Sequence, residues 1–156
     1  NTSEKTIEKA KEIFNNSGSS IVNVKKEIDG FILNRLQGAL LNEAMRLYSQ
    51  GYANSDEIDA TIRDGLGLRW AFMGPFETID LNAPGGIKDY MSRYGSIYTE
   101  MAKNQTQVPD WSDKMGEKLE IERRKVLPKN QLEERAKKRN LLLKLLRKVK
   151  IENGEV

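Results

Sequence analysis

The chain has 156 residues and a mass of 17.8 kDa, which suits one ordinary domain with a buried core. Hydrophobic residues make up 38% and charged residues 31%, too apolar a mixture for a disordered segment but enough charge for a strongly solvated surface. The lack of any Cys or His excludes disulfides, thiolate nucleophiles, Cys- or His-ligated zinc and every imidazole relay within this chain, and no metal site is expected.

Residues 1–11 are polar and charged, so they hold no signal-peptide core. The longest apolar runs, such as Leu141–Leu143, fall far short of a membrane span. The expectation is a cytoplasmic protein with no membrane partner. Glycosylation sequons at Asn1, Asn15 and Asn104 read as coincidence without a secretory signal.

A first helix is expected from Ser3 to Asn16, capped by Ser3, with Ile7, Ala10 and Phe14 as its apolar stripe and Asn15-Asn16-Ser17-Gly18 as its stop. Ile21, Val22 and Val24, with Ile28 beyond, form the one run that reads as a strand. A lone strand leaves its backbone unpaired, so the expected partner is a second copy of the chain or a part of the protein outside this sequence.

Everything after Asp29-Gly30 reads helical. Residues 31–50 are apolar on two sides, with Leu33, Leu36, Leu40 and Leu47 on one and Leu41, Met45 and Tyr48 on another, which predicts a centrally buried helix. Its polar strip is Arg35, Asn42, Arg46 and Ser49. Asn34 lies off that strip, either as a buried amide satisfied by backbone or as a functional group.

Asn54 and Glu57 have capping-box spacing and start a helix through Ile58 and Ile62, which Gly65-Leu66-Gly67 is expected to end as a C-cap. Arg69 follows among Leu68, Trp70, Phe72 and Met73, either paired internally or aimed at an anionic ligand. Pro75 fits the first position of the next helix. After the loop Ala83-Pro84-Gly85-Gly86, an amphipathic helix runs to about Lys103 with Ile87, Tyr90, Met91, Tyr94, Ile97, Tyr98 and Met101 as its stripe.

Two further helices, 111–126 and 129–150, are separated by Leu127-Pro128. Residues 30–110 hold 7 basic against 10 acidic side chains and residues 111–156 hold 14 against 8, so the chain has an acidic middle and a basic end. The basic residues alternate with Leu132, Ala136, Leu143 and Leu146 at helical spacing, and no aromatic follows Trp111. That pattern reads as the solvated face of a packed helix rather than a nucleic-acid platform, so no nucleic-acid partner is expected.

Gly30-Phe31-Ile32-Leu33-Asn34-Arg35-Leu36, Glu43-Ala44-Met45-Arg46-Leu47, Asp59, Gly65-Leu66-Gly67 and Gly74-Pro75-Phe76 together resemble the C-terminal domain of the L-3-hydroxyacyl-CoA dehydrogenase superfamily. The stretch Gly65 to Thr78 is most similar to its lambda-crystallin and L-gulonate 3-dehydrogenase branch, with a carnitine dehydrogenase branch nearby. The resemblance is specific from Gly30 to Gly95 and weak beyond.

The resemblance implies the second half of a two-domain NAD-dependent 3-hydroxy acid dehydrogenase. In that family a Rossmann domain carries the glycine fingerprint, the catalytic His and its orienting Glu; this sequence contains no such fingerprint and no His. The implied fold is all-α, a multi-helix bundle of the 6-phosphogluconate dehydrogenase C-terminal type over residues 29–156. Residues 1–28 resemble a helix and strand left over from the nucleotide-binding domain.

NAD is then bound by the missing domain, and this chain alone is expected to be inactive. The helical domain closes the substrate cleft and makes a homodimer interface. By the same resemblance Asn34 supports the substrate oxygen and the absent His. Arg69, in the branch-specific stretch, suits a substrate carboxylate that a guanidinium can pair in bidentate fashion. The alternatives are a non-enzymatic, crystallin-like structural protein and an L-carnitine dehydrogenase-like domain.

Overall fold

The computed structural model describes residues 2–16 and 21–155. Among these the architecture is all-helical, as expected: α1 (Glu4–Asn16), α2 (Phe31–Ser49), α3 (Ser55–Ala60), a π-helical turn (Thr61–Leu66), α4 (Gly67–Trp70), α5 (Pro75–Leu81), α6 (Gly86–Asn104), α7 (Asp113–Val126), a 3-10 turn (Lys129–Gln131) and α8 (Leu132–Glu152). The Ser17-Gly18 stop lies outside the described residues.

The expected strand is a correction. Residues 21–24 adopt no regular structure, and no described residue belongs to a strand. β-branched side chains favour an extended backbone, but a ladder needs a second strand, and no described segment supplies one.

Local signals place most helix ends. Ser3 Oγ accepts from the Thr6 amide at 3.3 Å, and Asn54 with Glu57 forms a complete capping box. Pro75 occupies the first turn of α5, and Thr78 Oγ1 donates to the Gly74 carbonyl at 2.8 Å. The Asp80 carboxylate accepts from the Ile87 amide at 2.6 Å and clamps the α5–α6 hairpin. α7 ends where Leu127, extended ahead of Pro128, leaves the helical region.

The Gly65-Leu66-Gly67 stop is a second correction. Gly67 is right-handed, and its amide donates to the Ile62 carbonyl five residues back, so the helix continues through a π turn into α4. A Cβ on Gly67 would stand 2.8 Å from that carbonyl oxygen, whereas one on Gly65 meets nothing within 4 Å. Gly67→Ala is therefore expected to cost about 1–3 kcal/mol in denaturant unfolding. Gly65→Ala, which merely stiffens the chain, is expected to gain a few tenths up to about 1 kcal/mol.

α7 is pinned back onto α2 and α3. Tyr48, the most deeply buried large side chain among the described residues, donates its hydroxyl to Glu122 at 2.9 Å, and the Lys118 ammonium lies 4.7 Å from its ring centre. Burial and then the Glu122 carboxylate push the Tyr48 phenol up. The same hydrogen bond, reinforced by the Ser55 amide, holds the Glu122 carboxyl below the usual range. Arg123 pairs with Asp56, and the polar strip of α2 seats the 105–112 connector: Arg46 donates to the Gln107 carbonyl at 3.1 Å, and Trp111 Nε1 donates to Asn42 at 3.2 Å.

α2 is a third correction, because it is not centrally buried in this chain. Met45 and Tyr48 are covered, but Leu33 is 74% exposed and Phe31, Leu36 and Leu41 also lie open. Periodicity marks an apolar face without saying what covers it. The accessible surface is 13,096 Å², whereas a compact monomer of this mass presents about 8,000 Å².

Candidate functional site

The entry to α2 carries an unusual backbone. Gly30 is left-handed at φ 79°, and Phe31 follows at φ 49°. For a bulky residue that conformation costs about 1–3 kcal/mol, a strain that concentrates where a backbone is shaped for a task. Asn34 stands one turn further on, exposed, and its side-chain amide makes no hydrogen bond among the described residues. The buried, backbone-satisfied amide weighed from the sequence is not what the fold builds. A groove of about 680 Å³ lined by Val24, Lys25, Ile28 and Ile32 lies at the same end of α2, and Asn34 is not part of its lining. An exposed amide both donates and accepts, so it can hold a hydroxyl and a carbonyl at the same position.

Arg69 occupies the last turn of α4, also exposed. Its guanidinium forms no hydrogen bond or ion pair among the described residues, so the internal pair weighed from the sequence is not made. Its charge reaches Tyr90 on α6, which is joined to Tyr98 through their hydroxyls at 2.6 Å and tilts against Tyr94 at 4.8 Å between ring centres. The Tyr98 bond pushes the Tyr90 phenol up, and Arg69 opposes it. No hydrogen bond or ion pair joins Asn34 to Arg69.

The apolar stripe predicted for α6 includes Tyr90, Tyr94 and Tyr98, of which Tyr94 and Tyr98 are 40% and 53% exposed. Their spacing of four residues was the available signal. No group of His, Cys, Asp or Glu among the described residues is arranged to hold a metal ion. The residues present do not fit a dinucleotide either: the chain has no glycine-rich strand-to-helix turn, and no strand among the described residues on which to build one.

Comparison with known proteins meets this geometry from the other side. The family described as 3-hydroxyacyl-CoA dehydrogenase, C-terminal domain, matches residues 30–142. Lambda-crystallin of Oryctolagus cuniculus is 38% identical over 151 residues, covering 96% of this chain and 47% of that protein. A lambda-crystallin homolog of Rattus norvegicus is 45% identical over 98 residues, 63% of this chain and 30% of that one. L-carnitine dehydrogenase of Pseudomonas putida is 45% identical over 95 residues, 60% and 30% respectively. The chain spans about half the length, or less, of these curated relatives. With an all-helical fold and a family match that begins at the strained entry to α2 and runs over most of the chain, the chain belongs to the 3-hydroxyacyl-CoA dehydrogenase C-terminal domain family.

Proposed function

We propose that this chain serves as the cleft-closing, dimerising helical half of an NAD-dependent 3-hydroxy acid dehydrogenase. The observation that carries the proposal is Asn34, an unpaired amide one turn inside a strained helix entry, on an open apolar face, within the matched family segment. In this reading the cofactor is held by residues outside the chain, whose own part is to orient the substrate. The Asn34 amide accepts from the substrate hydroxyl, donates to the product carbonyl and steadies the proton-accepting group beside it. Arg69 pairs with the carboxylate of the substrate acid.

A homodimer belongs to the same proposal. The exposed excess of about 5,000 Å² per chain is more than a compact monomer leaves open, and it exceeds the roughly 1,000–2,500 Å² that each partner of an obligate interface covers. The reading invokes no nucleic acid and no membrane; among the described residues no helix is long and apolar enough to cross one.

The test has two arms. The 156-residue chain alone is expected to show no saturable NADH fluorescence at micromolar concentration. In an enzyme that joins it to a nucleotide-binding half, Asn34→Ala is expected to lower kcat on the order of 10²-fold, with less effect on KM. NADH binding by the chain alone, or an unchanged kcat, overturns the proposal.

A further inference from the structure

The tyrosine face of α6 holds a hydroxyl proton that the chain itself does not use. Tyr90 and Tyr98 share a single hydrogen bond of 2.6 Å between their hydroxyls. Two phenols bring two O–H donors and that bond takes one, so the other has no protein acceptor among the described residues. The rings are held as a group: Tyr94 lies against Tyr90 with ring centres 4.8 Å apart, and the Tyr90 and Tyr98 rings stack at 6.3 Å. The spare donor therefore sits on a packed aromatic wall rather than on a free arm.

Arg69 is a second unspent donor in the same neighbourhood. Its carbonyl accepts from the Phe72 and Met73 amides, both at 3.0 Å, which fixes its backbone at the end of α4. α4 packs on α5 and α5 on α6, and the Asp80–Ile87 bond closes the hairpin between the last two. Of the tyrosine pair, Tyr90 is the member that feels the Arg69 charge. Among the described residues no carboxylate of the chain bonds to Arg69, Tyr90 or Tyr98.

We propose that the Tyr90 hydroxyl is the second arm of the carboxylate site of Arg69, with Tyr98 as the positioning residue that holds it. A carboxylate presents two oxygens with about four lone pairs, so a bidentate guanidinium leaves room for a further donor. Tyr98 donates to the Tyr90 oxygen, and Tyr90 donates to the acid; a chain of two hydroxyls polarises and strengthens the terminal bond. The Tyr98 bond also pushes the Tyr90 phenol up, which keeps it a donor at neutral pH. An amide or thioester carbonyl carries no charge and fewer lone pairs, so this pair of donors selects a free acid. The inference rests on the Arg69–carboxylate reading proposed above and adds the residues that set its selectivity.

The test uses an enzyme that joins this chain to a nucleotide-binding half, with 3-hydroxybutyrate as the acid and 3-hydroxybutyramide as the neutral control. Tyr90→Phe is expected to raise KM for the acid roughly 10- to 100-fold with kcat little changed, and to leave KM for the amide where it was. Tyr98→Phe removes only the support, so the acid's KM is expected to rise about 3-fold, again without effect on the amide. In the Arg69→Ala background Tyr90→Phe is expected to cost less than it does alone, because the two donors share one carboxylate. If Tyr90→Phe leaves the acid's KM unchanged while Arg69→Ala raises it, this inference is overturned and the Arg69 reading stands. A Tyr90→Phe effect that is equal for acid and amide, or a joint loss of kcat and melting temperature, has the same consequence. Unchanged KM in both variants, or a wild type that does not distinguish acid from amide or acts on neither, overturns both.

Discussion

Tyr48→Ala is expected to lower the unfolding free energy by about 3–5 kcal/mol, a large share of what holds a domain of this size together. The side chain is 5% exposed, and no described large residue is more deeply covered. Truncation removes its packing, the hydrogen bond to Glu122 and the ring beneath Lys118 in one step. Denaturant titration monitored by circular dichroism measures the loss. The same variant changes the response to acid. Glu122 is held low, first by the Tyr48 hydroxyl and then by the Ser55 amide, so its contribution is complete above the ordinary carboxyl value of the unfolded chain and is lost as pH falls through the lower folded one. Without Tyr48 that value moves back towards the ordinary range, and the decline of stability with acid is expected to flatten.

Arg69→Ala is expected to weaken substrate binding by about 2–4 kcal/mol, roughly 30- to 1,000-fold, in an enzyme that joins this chain to a nucleotide-binding half. The guanidinium is exposed and unpaired among the described residues, so it has no internal partner to lose. In the function proposed above, its removal costs binding because the substrate carboxylate loses its partner. A substrate analogue with the carboxylate replaced by an amide is expected to bind the wild type and the variant alike. If Arg69→Ala lowers the melting temperature and leaves binding intact, the residue is structural.

Local features were the legible ones in the sequence. The Asn54–Glu57 box, Pro75 at a helix start and Leu127 ahead of Pro128 each act within one turn, through a hydrogen bond or a steric clash that neighbouring residues decide. The π turn was not legible, because its i-to-i+5 bond from Gly67 to Ile62 has no side-chain signature and two glycines read equally well as a stop. The strand at residues 21–24 failed for the opposite reason: its propensity is local, but its hydrogen bonds depend on a partner. Exposure was the hardest to read. Phe31, Leu33 and Leu36 carry the pattern of a buried helix, and the pattern is the same whether the cover comes from this chain or from another. For the candidate site, the residue types at Asn34 and Arg69 were visible, whereas their lack of internal partners emerged only from the fold.

The π turn at Thr61–Leu66 also acts as a phase shifter. In an uninterrupted α-helix, residues seven apart fall within about 20° of one another, so Arg69 would project on the same side as Ile62 and into the apolar groove beside α2. The extra residue per turn rotates α4 by about 100° and carries Arg69 round towards the tyrosines of α6. The length of this segment is thereby a coded quantity. Losing a single residue between Thr61 and Leu66 would leave every side chain of α4 chemically unchanged and aim its one cation in the wrong direction.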